Sequence, residues 1–178
     1  MSWIQTNSGR HFDYINPSAD SININDIAHA LSKNCRFNGH VLGHYSVAEH
    51  CVVMSQVVSE KAKIYALMHD SAEAYLGDLP SPLKQLLPGF RELETKIRSV
   101  IDIRYNIKPP TDEIRAEIKN ADLAMLYVEK QQALAVKDVE WECFRNYKLP
   151  KEFKDIYLKW WEPITAKKEF LDRFLTLI

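Results

Sequence analysis

Glycine and cysteine are both scarce, with five and three in 178 residues. The cysteines, Cys35, Cys51 and Cys143, are odd in number and form no CxxC pair. That argues against a disulfide scaffold and a cysteine-only zinc site, and fits free thiols in a reducing compartment. No apolar run approaches the length of a membrane span, and the opening MSWIQTNSGRHF holds no apolar signal core, so the expected location is cytoplasmic. Charge of one sign is also missing. Lys and Arg number 23 against 24 Asp and Glu, a net charge of −1. A nucleic-acid surface normally shows as a basic excess, so neither a nucleic acid nor a membrane is an expected partner. A pocket for one phosphate group would not show at this level.

What is present is the material of a folded globule: 46% hydrophobic and 26% charged residues, far from the composition of disorder. Few glycines interrupt the chain and the eight prolines fall mostly between segments, so helical periodicity dominates. The first two dozen residues are the exception. They are turn-rich and hold a candidate short hairpin. Asn25 is the expected cap of a first helix ending near Asn34. A two-glycine loop, RFNGHVLGHY, follows. Ser46 and Glu49 make a capping box for the next helix, whose inner face carries Val47, His50, Cys51, Met54 and Val58. A third helix is expected over about 61–75, and GDLPSPLKQLLPGF reads as a proline-broken stop. A fourth covers about 91–105, and a long fifth, capped by Thr111, runs to about Ala135. A last helical pair is expected around Trp160, Trp161 and Pro163, with Phe170, Leu171, Phe174, Leu175 and Ile178 packed. The expectation is one all-α domain, residues 1–178, a compact bundle of about six to eight helices with an irregular or hairpin N-terminal segment.

Several polar groups sit on apolar faces of these helices. His50 is on the inner face of the second, and His69 and Asp70 lie within the third. Glu73 is one turn beyond His69, so the two would share a face of a continuous helix. Asp122 lies four residues from Ile118 and Leu126 and three from Met125, so it points with the apolar stripe; Asp102 instead neighbours Arg98 and Ser99. Each alone has a plain reading, as a hydrogen-bonded core histidine or a capping carboxylate. Several converging charges are costly to bury without a partner. A divalent cation supplies one, and mixed nitrogen and oxygen ligation suits manganese, cobalt, iron, nickel or zinc better than calcium.

His50, then His69-Asp70, then Asp122 resembles the H…HD…D signature of the HD phosphohydrolase superfamily. Arg36-Phe37, YSVAEH ending in His50, LMHDSAEAYLGDLPSPLK, and NAD ending in Asp122 look like its 5′-deoxynucleotidase branch, which has phage dATP triphosphohydrolase relatives. The resemblance implies that His50, His69, Asp70 and Asp122 hold one divalent transition metal. It implies that Glu73 handles the attacking water and that Asp78 positions water or protonates the leaving oxygen. Arg36 would bind phosphate and Phe37 would contact the nucleoside, in a place where relatives often carry Trp. Lys84 and Lys119 look like the phosphate lysines of triphosphate-cleaving relatives. Family habit adds a homo-oligomer, and His40 and His44 read as exposed loop residues.

The expected function is a metal-dependent phosphohydrolase acting on a small-molecule deoxynucleotide. The favoured reaction removes phosphate from 2′-deoxynucleoside 5′-monophosphates. The alternative releases triphosphate from deoxynucleoside triphosphates, but Gly39 stands where a dATP-selective relative would crowd the base. A non-catalytic nucleotide sensor would be expected to have lost a ligand or Glu73, and all are present.

Overall fold

The computed structural model describes residues 1–178. A two-stranded antiparallel hairpin, β1 (Trp3–Gln5) and β2 (His11–Asp13), pairs Ile4 with Phe12. Eight α-helices follow: α1 (Ile24–Lys33), α2 (Val47–Val57), α3 (Lys63–Met68), α4 (Glu73–Leu76), α5 (Ser81–Leu86), α6 (Phe90–Arg104), α7 (Asp112–Ala133) and α8 (Pro163–Leu177). This is the expected all-α bundle with an N-terminal hairpin. No helix is long and apolar enough to cross a membrane.

α2 is the central element, because every residue from Val47 to Ser55 is buried. Val47, Ala48, Cys51 and Val52 join a cluster with Phe12, Ile27, Leu31, Leu67, Ile97 and Phe170. Val53 and Met54 join a second cluster with Ala66, Ala121, Met125 and Phe153. Each large side chain buried this way contributes about 1.5–3 kcal/mol. α2 therefore runs between two apolar layers, and His50 projects from its middle.

Several local expectations are corrected. Asn23 caps α1, its side chain accepting from Asn25 N–H, so Asn25 is inside the helix rather than its cap. The Ser46 hydroxyl accepts from Glu49 N–H at 3.1 Å, as a capping box requires. The Glu49 carboxylate does not return to the cap. It accepts from the backbone N–H groups of Lys159, Trp160 and Trp161 at 2.6, 3.0 and 2.7 Å. The proline-rich stretch is not only a stop, since α5 forms within it with a proline in its first turn, where the missing N–H costs nothing. The expected last helical pair is a single helix, α8, preceded by isolated 3-10 turns. Phe170 and Phe174 of α8 are buried, but Leu175 and Ile178 face solvent.

The largest correction concerns the expected third helix. It breaks into α3 and α4 around His69–Ala72, where Ser71, Glu73, Ala74 and Tyr75 donate to the carbonyls three residues back. That tightened turn changes the 100° step between side chains, so His69 and Glu73 do not follow the face-sharing rule of one continuous helix. Three long-range bonds hold the segment. Arg98 of α6 donates to the Met68 carbonyl, just before His69. Asn34 Nδ2, at the end of α1, donates to the Glu73 carbonyl at 2.9 Å. Tyr14 donates its hydroxyl to the Tyr75 carbonyl at 2.6 Å.

Candidate metal centre

His50 from α2, His69 from the α3–α4 turn and Asp122 from α7 bring one ligand atom each to within 4.8 Å of one another, and Asp70, next to His69, adds a carboxylate beside both imidazoles. The two imidazole Nε2 atoms are 3.2 Å apart. His50 Nε2 lies 3.4 Å from Asp122 Oδ1 and 3.8 Å from Asp70 Oδ2. His69 Nε2 lies 3.0 Å from Asp70 Oδ2 and 3.9 Å from Asp122 Oδ1. His50 is fully buried, while the Asp122 side chain keeps 49% of its exposure, so the cluster has a closed side and an open one.

The donor set fits a divalent cation. His50 Nδ1 lies 2.5 Å from Glu129 Oε1, and His69 Nδ1 lies 2.8 Å from the Ala66 carbonyl. A carbonyl oxygen only accepts, so the neutral His69 ring carries its proton on Nδ1 and a lone pair on Nε2; the Glu129 carboxylate imposes the same on His50. Two Nε2 lone pairs then face each other beside two carboxylates. Bonds of about 2.0–2.2 Å from one cation would set neighbouring ligand atoms roughly 3 Å apart, close to the observed spacings. Cys51 Sγ also approaches His69, at 3.9 Å, but on the Nδ1 side. Burial pushes the Cys51 thiol pKa up, which keeps it a poor ligand.

The electrostatics favour added positive charge. Burial opposes ionisation of His69, yet Asp70 raises its pKa well above the ordinary value. His50 is raised as well: burial and Arg36 oppose, Glu129 and Asp122 outweigh them. Burial would push Asp70 up, but His69, His50 and Arg36 hold it well below the carboxylate range. Protons and a cation therefore compete for the same two nitrogens.

The other expected site residues divide into two groups. Arg36 is buried, with Nη1 3.8 Å from Asp70. Its Nε and Nη2 are turned away, onto Glu129 Oε2 at 3.1 and 2.8 Å. Phe37 follows in a left-handed backbone conformation (φ 55°), with the Arg36 guanidinium 5.7 Å from its ring centre. Glu73 is buried, and its pKa is raised by burial first and then by Asp70 and Asp78. Its Oε1 accepts from Lys84 Nζ at 3.1 Å, while Oε2 is buried without a partner. Burial likewise raises Asp78, against the pull of Arg36. Lys84 also donates to Glu94 at 2.7 Å, so it bridges two carboxylates rather than standing free. Lys119 is exposed. His40 is exposed, and His44 Nε2 is spent on the Ser32 carbonyl at 3.0 Å. A groove of about 790 Å³ borders His69 and is walled by α6 and the start of α7, including Glu94, Arg98, Asp102 and Arg115.

Two site neighbours were not found from the sequence. Glu129 lies seven residues after Asp122, two turns along the same face, and that spacing was the available signal. Trp141 comes from an irregular segment and packs near Phe37, 6.3 Å between ring centres; no periodicity announces it.

No family model matches the chain. The chain is 41% identical to YfdR of Escherichia coli, named an uncharacterized protein, over 98% of this chain and 94% of that one. It is 31% identical to RCAP_rcc00048 of Rhodobacter capsulatus, also named uncharacterized, over 78% of this chain and 76% of that one. A more distant relative, 5′-deoxynucleotidase VV1113 of Vibrio vulnificus, is 29% identical over 70% of this chain and 66% of its own length. The chain belongs to the same family as YfdR, and proteins named 5′-deoxynucleotidase are more distant relatives of it.

Proposed function

We propose that this protein is a metal-dependent nucleotide phosphohydrolase that releases phosphate from 2′-deoxynucleoside 5′-monophosphates. The observation that carries the reading is a pair of imidazole Nε2 atoms 3.2 Å apart, each within 3.0–3.9 Å of two carboxylates, Asp70 and Asp122. The 5′-deoxynucleotidase named among the relatives supports the substrate class. In this reading His50, Asp122, His69 and Asp70 would hold one divalent transition metal, which would supply Lewis-acid polarisation of the phosphoryl group and a more nucleophilic water near neutral pH.

The remaining steps belong to the chain's own side chains. Arg36 Nη1, beside Asp70, binds a phosphate oxygen. Glu73 takes the proton of the attacking water on its unpartnered Oε2. In the metal-free protein burial, then Asp70 and Asp78, push its pKa up to about 9, so it would act as a base only where added positive charge at the centre lowers that value. Asp78, raised by burial too, gives a proton to the leaving 5′ oxygen. Phe37 and Trp141 offer the nucleoside an aromatic surface, and the Trp141 indole restores the N–H that Phe37 lacks. Lys84 is occupied by Glu73 and Glu94, which favours a monophosphate over a triphosphate substrate. The homo-oligomer expected from the family stays part of the proposal, to be measured by light scattering.

The test is product analysis by anion exchange, with cobalt, manganese or magnesium added and each deoxynucleoside mono- and triphosphate supplied. The expected result is nucleoside plus orthophosphate from the monophosphates and none from Asp70→Ala. Tripolyphosphate from the triphosphates, with monophosphates untouched, replaces this reading with the triphosphohydrolase. No product from either, in metal-loaded protein, replaces it with a nucleotide sensor.

A further inference from the structure

Glu129 is wholly buried, and both of its carboxylate oxygens are saturated. Oε1 accepts from the Tyr45 hydroxyl at 2.9 Å and faces His50 Nδ1 at 2.5 Å. Oε2 accepts from Arg36 Nε and Nη2. One anion thus touches a candidate metal ligand on one side and the candidate phosphate-binding arginine on the other. A buried carboxylate with four donors around it is held in place by the loss that would follow from leaving any of them unpaired. Its position is fixed further by the two turns of α7 that separate it from Asp122.

We propose that Glu129 is a positioning residue that locks His50 in the tautomer with its proton on Nδ1, presenting Nε2 to the metal, while clamping Arg36 with Nη1 toward Asp70. The proposal rests on the phosphohydrolase reading for the role of Arg36, and on the geometry alone for His50. A carboxylate can do both jobs because all its lone pairs accept. A glutamine cannot. If its oxygen faces Arg36, its NH₂ faces His50 Nδ1, which must then accept, and the proton moves to Nε2, the metal-facing nitrogen. If it turns the other way, its NH₂ meets the guanidinium and Arg36 loses its anchor.

The experiment compares wild type, Glu129→Gln and Tyr45→Phe by cobalt titration and steady-state kinetics, with imidazole ¹⁵N spectra of the zinc-loaded wild type. Glu129→Gln is expected to weaken cobalt binding 10–100-fold, the usual loss when the partner of a ligating histidine is removed. It is also expected to raise KM for a deoxynucleoside monophosphate more than it lowers kcat at saturating cobalt. Tyr45→Phe removes a bond from the same oxygen without touching His50 and is expected to hold cobalt affinity within about threefold. The wild-type spectra are expected to show His50 protonated at Nδ1 and bound through Nε2. A folded Glu129→Gln with wild-type cobalt affinity, or a Tyr45→Phe that loses as much, overturns the proposal. So does a wild-type His50 bound through Nδ1, a result that stands even when Glu129→Gln does not fold. Wild type that binds cobalt but releases no phosphate overturns the proposed reaction instead, and the cobalt affinities still decide Glu129.

Discussion

Glu73 carries one oxygen tied to Lys84 and one, Oε2, buried with no partner. Its folded pKa is raised above the unfolded value near 4.3. The folded protein therefore binds more protons than the unfolded chain as pH rises above that value, and this residue costs stability there. Glu73→Gln removes the cost. In metal-free protein at pH 8 it is expected to raise unfolding free energy by about 1–3 kcal/mol, with the gain vanishing by pH 4, while phosphate release falls at least about 100-fold. Urea unfolding at both pH values checks this, and a less stable variant at pH 8 would count against the burial argument. Asp122, half exposed, is expected to behave differently. Asp122→Ala should empty the metal site with little loss of helix, read by metal analysis and circular dichroism; unchanged metal content removes it from the ligand set. Its inward direction was legible in the sequence because it shares a stripe with Ile118, Met125 and Leu126. For Glu129 the seven-residue spacing from Asp122 placed it on the same face, but that spacing does not say that its carboxylate is bonded to Arg36 and not solvated.

Between elements, Glu49 shows how a local signal acquires a distant use. The capping pattern at Ser46 marked the start of α2 correctly, and Thr111 did the same for α7, its side chain accepting from Ile114 N–H. The Glu49 carboxylate, however, takes three consecutive amides from Lys159 to Trp161, joining the enclosed helix to the approach to α8. Glu49→Ala leaves those amides unpaired and is expected to cost about 3 kcal/mol in urea unfolding. Below its melting temperature the variant should still bind one cobalt per chain, because the ligands come from other faces. The break at His69–Ala72 had no comparable marker. No proline or glycine interrupts those residues, and the turn tightens where Arg98, Asn34 and Tyr14 hold the backbone around it.

For the whole molecule, the candidate centre links metal binding to stability and to pH. A ligand that binds only the folded state stabilises it by RT ln(1 + [L]/Kd), about 2.7 kcal/mol at one hundred times Kd. Cobalt is expected to raise the melting temperature and a chelator to reverse the rise. The sign of the pH effect follows from His50 and His69, whose folded pKa values are raised. In metal-free protein their protonated forms stabilise fully below the unfolded value near 6.5, and that contribution is lost as pH rises through the folded values. The metal needs the deprotonated rings. Cobalt should therefore raise the melting temperature most at about pH 8.5 and least at about pH 6, measured by differential scanning fluorimetry. A cobalt effect that does not shrink on acidification would remove the histidines from the centre.

The sequence by itself determined the helical class, the long α7 and its cap, and the residue types that meet at the centre. Those features rest on periodicity, capping chemistry and the cost of burying charge, all of which act over a few residues. Only the tertiary structure decided that the His69–Asp70 segment turns instead of continuing, that Lys84 is spent on Glu73 and Glu94, and that Arg36 and His50 share one buried carboxylate. Each of these depends on groups far apart in the chain, 93 residues between Arg36 and Glu129 and 79 between His50 and Glu129. Hydrogen-bond partners at such separations are chosen by packing, and packing is set by α2 lying between two apolar layers.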